Sequence, residues 1–558
     1  MFHPLFYLCL FLSALVETYA FAIGGPVNTT SGPVQGQSSS LRPEVSEYLG
    51  IPFAQPPVGN LRFAAPLAVT RSSGIINATS YVSYFHEFCT IADDATESEG
   101  DILNEDCLTI NIWTKPQQGE KQKAVLFWIY GGGFAIGSTA SPVYDGSILA
   151  DENDVVVVSF NYRLNIFGFS GAPGQPWNVG LLDQRLALEW TRDNIAQFGG
   201  DPSRITVFGQ SAGGLSTDFL AYSYPEDPIA HALIAHSGAA SSALSASSDM
   251  ATIRKTWYNV SATLGCGGAD AGEATVACMR ARSSQDLLDA IAPLTAGGML
   301  GGFTPVGDGT VVPIDVPAAG IAGKFARIPF MTGNTDNEAG FFLITALAYS
   351  NLTAEEVAAL PMTLIQPLGD LLTLVGFTCP AAEAARYRSL YDVPVWRYRY
   401  YGGNYSNTYI IPVGSAYHTS ELPIVFGTAA TVTGVADTKY EAQAAAYMRD
   451  AWAAFAKNPN DLRNVFQWPT FHPLTRSEIQ LSYGQQTEAS YIFNIQTDAF
   501  CPTVKLFSGI LEDIAKILSR LGIEDSSSSL LSIFDQPLNT DSAVKQALSS
   551  LQLLASQV

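Results

Sequence analysis

Long apolar runs and amphipathic stretches alternate through the first half of the chain. Lys123-Ala124-Val125-Leu126-Phe127-Trp128-Ile129-Tyr130 is almost unbroken in its apolar character, and so is Val155 to Phe160. Runs without polar alternation suit strands buried on both faces, the condition of a parallel sheet covered by helices. Leu181 to Gln197 instead places Leu182, Leu186, Trp190 and Ile195 close to helical spacing, which predicts an amphipathic helix. Ile205-Thr206-Val207-Phe208 predicts the next strand, a helix-like stretch follows it, and Ile328 to Met331 reads as a further strand. This order predicts the α/β class, with a large, mostly parallel central sheet and helices on both faces. Gly297 to Gly302 lacks a phosphate-binding pattern and reads as a flexible connection. Past Cys501 the texture changes: Leu506, Phe507, Ile510, Leu511, Ile514, Ile517, Leu518 and Leu521 recur at helical spacing, and Ser526 to Ser529 resembles a linker. The expected division is a leader over 1–20, one α/β catalytic domain over 21–505, and a helical extension and tail over 506–558 that docks onto its parent domain.

Composition narrows the partners. A chain of 558 residues with 47% apolar content can bury one large core. A formal net charge of −22, with only 29 lysines and arginines, argues against nucleic acid and anionic membranes, since both need a basic footprint. The first residues, MFHPLFYLCLFLSALVETYA, hold an apolar core from Leu8 to Val16 of signal-peptide length, with Ala20 and Ala22 as cleavage points. The expectation is a secreted protein, with an anchor helix as the alternative, and no later segment is long and apolar enough for stable membrane insertion. Cys9 leaves with the leader, and Cys89, Cys107, Cys266, Cys278, Cys379 and Cys501 remain. An even count in an exported chain suggests disulfides, although spacing does not fix their pairing. Sequons at Asn28, Asn77, Asn259, Asn351 and Asn404 are candidates for glycosylation. Nothing in the chain gives its oligomeric state.

The chemistry is concentrated in RITVFGQSAGG at 205–215. Gly209-Gln210-Ser211-Ala212-Gly213 is a G-x-S-x-G nucleophile elbow, a sharp strand-to-helix turn that presents a serine oxygen in an open site. The glycines leave room beside the nucleophile, and the following helix start offers N–H groups to a developing oxyanion. A serine nucleophile needs a base and an acid that orients it, and after an elbow of this kind the chain order is acid, then histidine. His3, His86, His231 and His236 come too early. His418, in the polar loop GSAYHTSELPIVFG, suits the role of base better than His472, which sits in the turn WPTFHP. Glu338 is the best-placed acid, beyond the strand-like Ile328 to Met331, with Asp336 as runner-up. Gly131-Gly132-Gly133-Phe134 follows a strand and reads as a glycine loop whose N–H groups reach a small oxyanion. No metal-ligand pattern is present, and the chemistry requires no cofactor.

Further motifs carry a resemblance: YLGIPFAQPPVGNLRF at 48–63, EDCLTINIW at 105–113, WIYGGGF at 128–134, NVGLLDQRLALEW at 178–190 and NIAQFGGDPSRITVFGQSAGG at 194–214. Over roughly residues 25 to 500 the chain resembles the type B carboxylesterase/lipase family, the cholinesterase-like branch of the α/β-hydrolases, and YSYPEDPI is similar in texture to secreted fungal members. The resemblance implies the α/β-hydrolase fold, a triad of Ser211, Glu338 and His418, and an oxyanion hole from the N–H groups of Gly132, Gly133 and Ala212. It also implies disulfides Cys89–Cys107 and Cys266–Cys278, leaving Cys379–Cys501, and buried ion pairs Arg62–Glu105 and Arg163–Asp183. Two departures bear on substrate. Gln210 stands where the family usually has Glu, and residues 90–106 hold no aromatic but many acids. Such a loop neither holds choline by cation–π attraction nor forms an apolar lid against fat. The expected activity is hydrolysis of soluble short-to-medium acyl esters through an acyl-serine, with a small-molecule ester as partner. The alternatives are an esterase, lactonase or acyltransferase of a secondary-metabolite pathway, and a non-catalytic cholinesterase-like binding protein.

Overall fold

The apolar runs are strands in the computed structural model, which describes residues 22–81, 104–242, 249–295, 302–342, 369–403, 405 and 415–504. In chain order they are β1 (Val27–Thr29), β2 (Gly32–Gln35), β3 (Gln37–Ser38), β4 (Ser46–Pro52), β5 (Ile76–Asn77), β6 (Thr109–Thr114), β7 (Lys123–Ile129) and β8 (Val156–Phe160), then β9 (Gly200–Gln210), β10 (Ala232–His236), β11 (Phe330–Thr335), β12 (Val395–Tyr400), β13 (Glu478–Leu481) and β14 (Ser490–Ile492). β1, β2 and β5 form a three-stranded sheet, and the rest join in one 11-stranded sheet of order β14-β13-β12-β11-β10-β9-β7-β8-β6-β4-β3. From β8 across to β13 every neighbouring pair is parallel, and both margins are antiparallel. Every residue of β7 and β8 is buried, which is why these strands show no alternation in the sequence.

The expected helix over 181–197 is α1 (Val179–Asn194), followed by a 3-10 turn, Ile195–Phe198. Gly199 ends the element at φ 84°, a left-handed stop that glycine adopts without strain. β9 begins at Gly200, before its β-branched stretch, because Lys123 and Gly200 are already paired there. The helix after the elbow, α2 (Ala212–Ser223), packs on β9 and β10, and α3 (Lys439–Lys457) packs on β7 and β9. Beneath the site, Trp128 packs against Phe208, Phe426 and Tyr144, with ring centroids 4.7, 5.0 and 5.2 Å away.

Two buried ion pairs tie loops to this frame. Arg163 donates from Nε (2.8 Å) and Nη2 (2.7 Å) to the carboxylate of Asp183 on α1. Arg62 binds Glu105 through Nε at 2.7 Å and also reaches the carbonyls of Met279, Arg280 and Arg282. Losing one partner of such a pair strands a buried charge, which costs about 3–5 kcal/mol. Disulfides join Cys266 to Cys278 and Cys379 to Cys501. Cys107 is buried and holds no disulfide to any described residue. Its implied partner Cys89 lies outside the described residues, as do the leader over 1–20, Gly297 to Gly301, nearly all of the loop over 90–106, the extension over 506–558, and Asn351 and Asn404. Asn28, Asn77 and Asn259 are exposed.

Candidate active site

The elbow forms where β9 meets α2. Ser211 has φ 58° and ψ −122°, a region that disfavours any residue with a Cβ. Its neighbours must be small: a Cβ on Gly209 would lie 2.3 Å from the Gly213 carbonyl oxygen, and one on Gly213 would lie 2.0 Å from that of Ile129. The Ser211 N–H donates to the His236 carbonyl of β10 at 2.9 Å, and its carbonyl accepts from Leu215 to open α2. Its side chain makes no cap bond to the helix, and the residue is partly exposed.

The glycine loop follows the carboxyl end of β7. Gly132 and Gly133 have φ 108° and 63°, and a Cβ on Gly132 would lie 2.2 Å from the Ile136 carbonyl oxygen. Gly131 makes room too: a Cβ there would lie 2.8 Å from the Ser211 Cβ and 2.9 Å from the Gln210 Oε1. This loop and the elbow are therefore in contact. Ala212 begins α2, so its N–H has no partner within the helix.

Glu338 lies just beyond β11, fully buried. Its Oε1 accepts from the Thr335 N–H at 2.6 Å and the Ser237 hydroxyl at 2.7 Å. Its Oε2 is 2.5 Å from Nδ1 of His418. A bridge between Asn337 and Tyr417 delivers the histidine there, reinforced by the Asn337 N–H to the Ala416 carbonyl (2.8 Å) and Asn337 Nδ2 to the Ser415 hydroxyl (2.8 Å). A carboxylate can only accept, so Nδ1 carries the proton and the Nε2 lone pair lies at the opposite edge of the ring. Among the described residues no hydrogen bond joins Nε2 to the Ser211 hydroxyl; such contacts are commonly long before substrate arrives.

The alternatives sit elsewhere. Asp336 turns its carboxylate to Arg399 at 3.1 Å, and His472 is exposed and bonded within its own turn. Sequence reasoning missed the two donors on Glu338, the Asn337–Ser415 contact and an aromatic surround. Phe341, Phe342 and Phe377 place ring centroids 5.9, 5.1 and 5.0 Å from that of His418. The pair Phe341-Phe342, three residues beyond Glu338, was a readable signal. Phe377 was not, because it comes from one turn of π-helix, Leu374–Thr378, far along the chain. Among the described residues no group of His, Cys, Asp and Glu could hold a metal ion, and no helix is long and apolar enough to cross a membrane.

Nucleophile turn, glycine loop, carboxylate and histidine thus meet at the carboxyl ends of parallel strands, where sheets of this kind bind their ligands. The sequence profile of the carboxylesterase family matches residues 25–360 and 348–499. The chain belongs to the carboxylesterase family. It is similar to a chlorogenic acid esterase of Aspergillus niger, 37% identical over 449 residues that cover 78% of this chain and 82% of the relative. Secreted lipase 5 of Gibberella zeae is 33% identical over 478 residues, covering 79% and 87%. The para-nitrobenzyl esterase of Bacillus subtilis is 32% identical over 483 residues, covering 82% and 94%. This carboxylesterase has the α/β-hydrolase fold of its family and hydrolyses carboxylic esters of small molecules. Gln210, its departure beside Ser211, is buried and lies against His418, with Nε2 at 3.1 Å from the ring Nε2 and 3.5 Å from Nδ1.

Proposed function

We propose that the enzyme is a secreted serine esterase that cleaves soluble, uncharged short-to-medium acyl esters through an acyl-serine intermediate. His418 takes the Ser211 proton as the hydroxyl attacks the ester carbonyl, then returns it to the leaving alcohol; water repeats the cycle on the acyl-enzyme. Glu338 holds the ring tautomer and stabilises the imidazolium. The N–H groups of Gly132, Gly133 and Ala212 bind the tetrahedral oxyanion, each worth about 3–4 kcal/mol. The observation that carries this reading is the Glu338 Oε2 to His418 Nδ1 contact of 2.5 Å, with the His418 ring against Gln210 of the elbow. Secretion is supported by the leader-like start, the two disulfides and a relative named as secreted. Glycosylation is supported by the exposure of Asn28, Asn77 and Asn259.

A second reading of substrate is favoured by the phenyl rings of Phe341, Phe342 and Phe377 around His418 and by the relative named chlorogenic acid esterase: the acyl group is an aromatic acid. One panel separates these readings. The enzyme is assayed on a soluble butyrate ester, butyrylcholine, emulsified triolein and a hydroxycinnamate ester, with Ser211→Ala beside it. A soluble butyrate turning over fastest, and a Ser211→Ala protein that is folded and inactive, are the expected results. Preference for the hydroxycinnamate selects the second reading. Fastest turnover of the choline ester, or strong activation at the oil surface, overturns both, and a Ser211→Ala rate within tenfold of wild type overturns the mechanism.

A further inference from the structure

We propose that Gln210 is a positioning residue for ester hydrolysis: its buried side-chain amide lies on the face of the His418 ring and holds that ring with the Nε2 lone pair open toward Ser211. The inference rests on the reading of His418 as the base. It starts from two distances. The amide nitrogen is almost equally far from the two ring nitrogens, 3.1 and 3.5 Å. A donor in line with the Nε2 lone pair would be much farther from Nδ1 than from Nε2. Near-equal distances place the amide over the ring face instead, where a flat group packs closely. The in-plane lone pair is left for the nucleophile.

The surroundings give Gln210 little freedom. It is 1% exposed, its backbone pairs in register with His236 on β10, and it ends β9 one residue before the strained serine. The glycine loop makes way for its side chain at Gly131, where a Cβ would lie 2.9 Å from its Oε1. Glu338 is the charged group in contact with the ring among the described residues. It fixes the ring by its Nδ1 edge only, and rotation about that bond would swing Nε2 away from Ser211. Gln210 on the face, with Phe342 and Phe377 also against the ring, opposes that rotation. The side chain touches the histidine and not the ester in this reading, so its loss should lower kcat while leaving substrate affinity alone.

The test uses the full-length enzyme and a soluble p-nitrophenyl butyrate. Gln210→Leu keeps the volume but not the planar group, and Gln210→Glu keeps the plane. Gln210→Leu is expected to lower kcat about tenfold or more with KM within about twofold, and Gln210→Glu to recover most of that loss. Thermal unfolding verifies that each variant is folded, and Gln210→Ala replaces the leucine variant if that one is not. Unchanged kcat in the leucine or alanine variant, a loss carried by KM alone, or no recovery in Gln210→Glu overturns the proposal. Ser211→Ala is measured alongside: an active Ser211→Ala protein removes the reading of the site itself, whereas an inactive one beside a fully active Gln210→Leu removes only the role of Gln210.

Discussion

Two buried histidines of this enzyme are held in different ways, one at the end of β10 and one in the loop that follows the Asn337–Tyr417 bridge. His236 ends β10 and is 0% exposed; His418 is 1% exposed. Burial therefore does not separate them, and hydrogen bonding does. The Trp452 indole on α3 donates to Nε2 of His236 at 2.9 Å, and an indole can only donate. The neutral ring then carries its proton on Nδ1, which donates to the Tyr398 oxygen at 3.0 Å. Burial, with Glu421 and Glu338 nearby, pushes the Tyr398 phenol well above its ordinary pKa, so that oxygen stays a hydroxyl. Both nitrogens of His236 are spent, and the ring is a structural rivet between the sheet and α3. At Nδ1 both rings face oxygen, the Tyr398 hydroxyl with Glu421 Oε1 farther off at 3.6 Å for His236 and the Glu338 carboxylate for His418; the difference is the indole on Nε2 of His236. The Nδ1 of His418 donates to Glu338, and its Nε2 has no indole or other in-line donor among the described residues. The partners at Nε2 make His236 a core residue and leave His418 able to act as the base of the proposed mechanism.

The largest expected effect tests that difference directly. Glu338→Gln presents an amide to Nδ1 in place of an obligate acceptor, so the ring can take the wrong tautomer. The expected result is a fall in kcat of about 10³–10⁴-fold on a soluble butyrate ester, measured in a protein whose unfolding midpoint is little changed. A fall under about tenfold would mean that the carboxylate does not set the tautomer, and the contrast between the two histidines would lose its basis.

A middle-sized effect comes from the other ring. His236→Phe leaves the Trp452 N–H and the Tyr398 hydroxyl without their partner in the core. Stability to denaturant should drop by about 2–6 kcal/mol, at about 1–3 kcal/mol for each of the two stranded groups. Activity per titrated site should stay within a few-fold of wild type. Loss of kcat comparable to that of Glu338→Gln would show that His236 takes part in the chemistry.

The smallest effect uses a third histidine, His231, whose buried ring nitrogens have no hydrogen-bond partner among the described residues. Burial lowers its pKa below the ordinary 6.5. At acid pH the unfolded chain therefore binds a proton that the folded protein resists, and stability is lost as pH falls through the unfolded value. His231→Leu should flatten the pH dependence of unfolding between about pH 7 and 5 and leave stability above pH 7 nearly unchanged. An unaltered slope in that window would mean that burial alone leaves this ring free to take up its proton.

Much of the site was legible because its parts are local. The Gly209–Gly213 turn needs a strand, a strained serine and small neighbours within five residues, and all of these are written in the pentapeptide. The glycine loop and the buried strands are equally local, and chain order was enough to separate His418 from His236 once the elbow was located. Glu338 was harder. Two carboxylates stand two residues apart after the same strand, and only the bridge from Asn337 to Tyr417 and the pull of Arg399 on Asp336 bring one of them to His418. The expected contact between His418 and Ser211 is not closed by a hydrogen bond among the described residues, and the amide of Gln210 lies against the ring instead.

The chain by itself determined the fold class, the nucleophile turn, the glycine loop and the family, because each depends on backbone propensity, steric room or apolar periodicity within a short stretch. Only the tertiary structure decided what each ring and carboxylate faces. The partners of His418 come from residues 210, 338, 341, 342 and 377, brought together by β9, the turn after β11 and a single π-turn. No periodicity links those positions. Their meeting depends on strand register and on which loop closes over which strand end, and that is settled by the packing of the whole sheet.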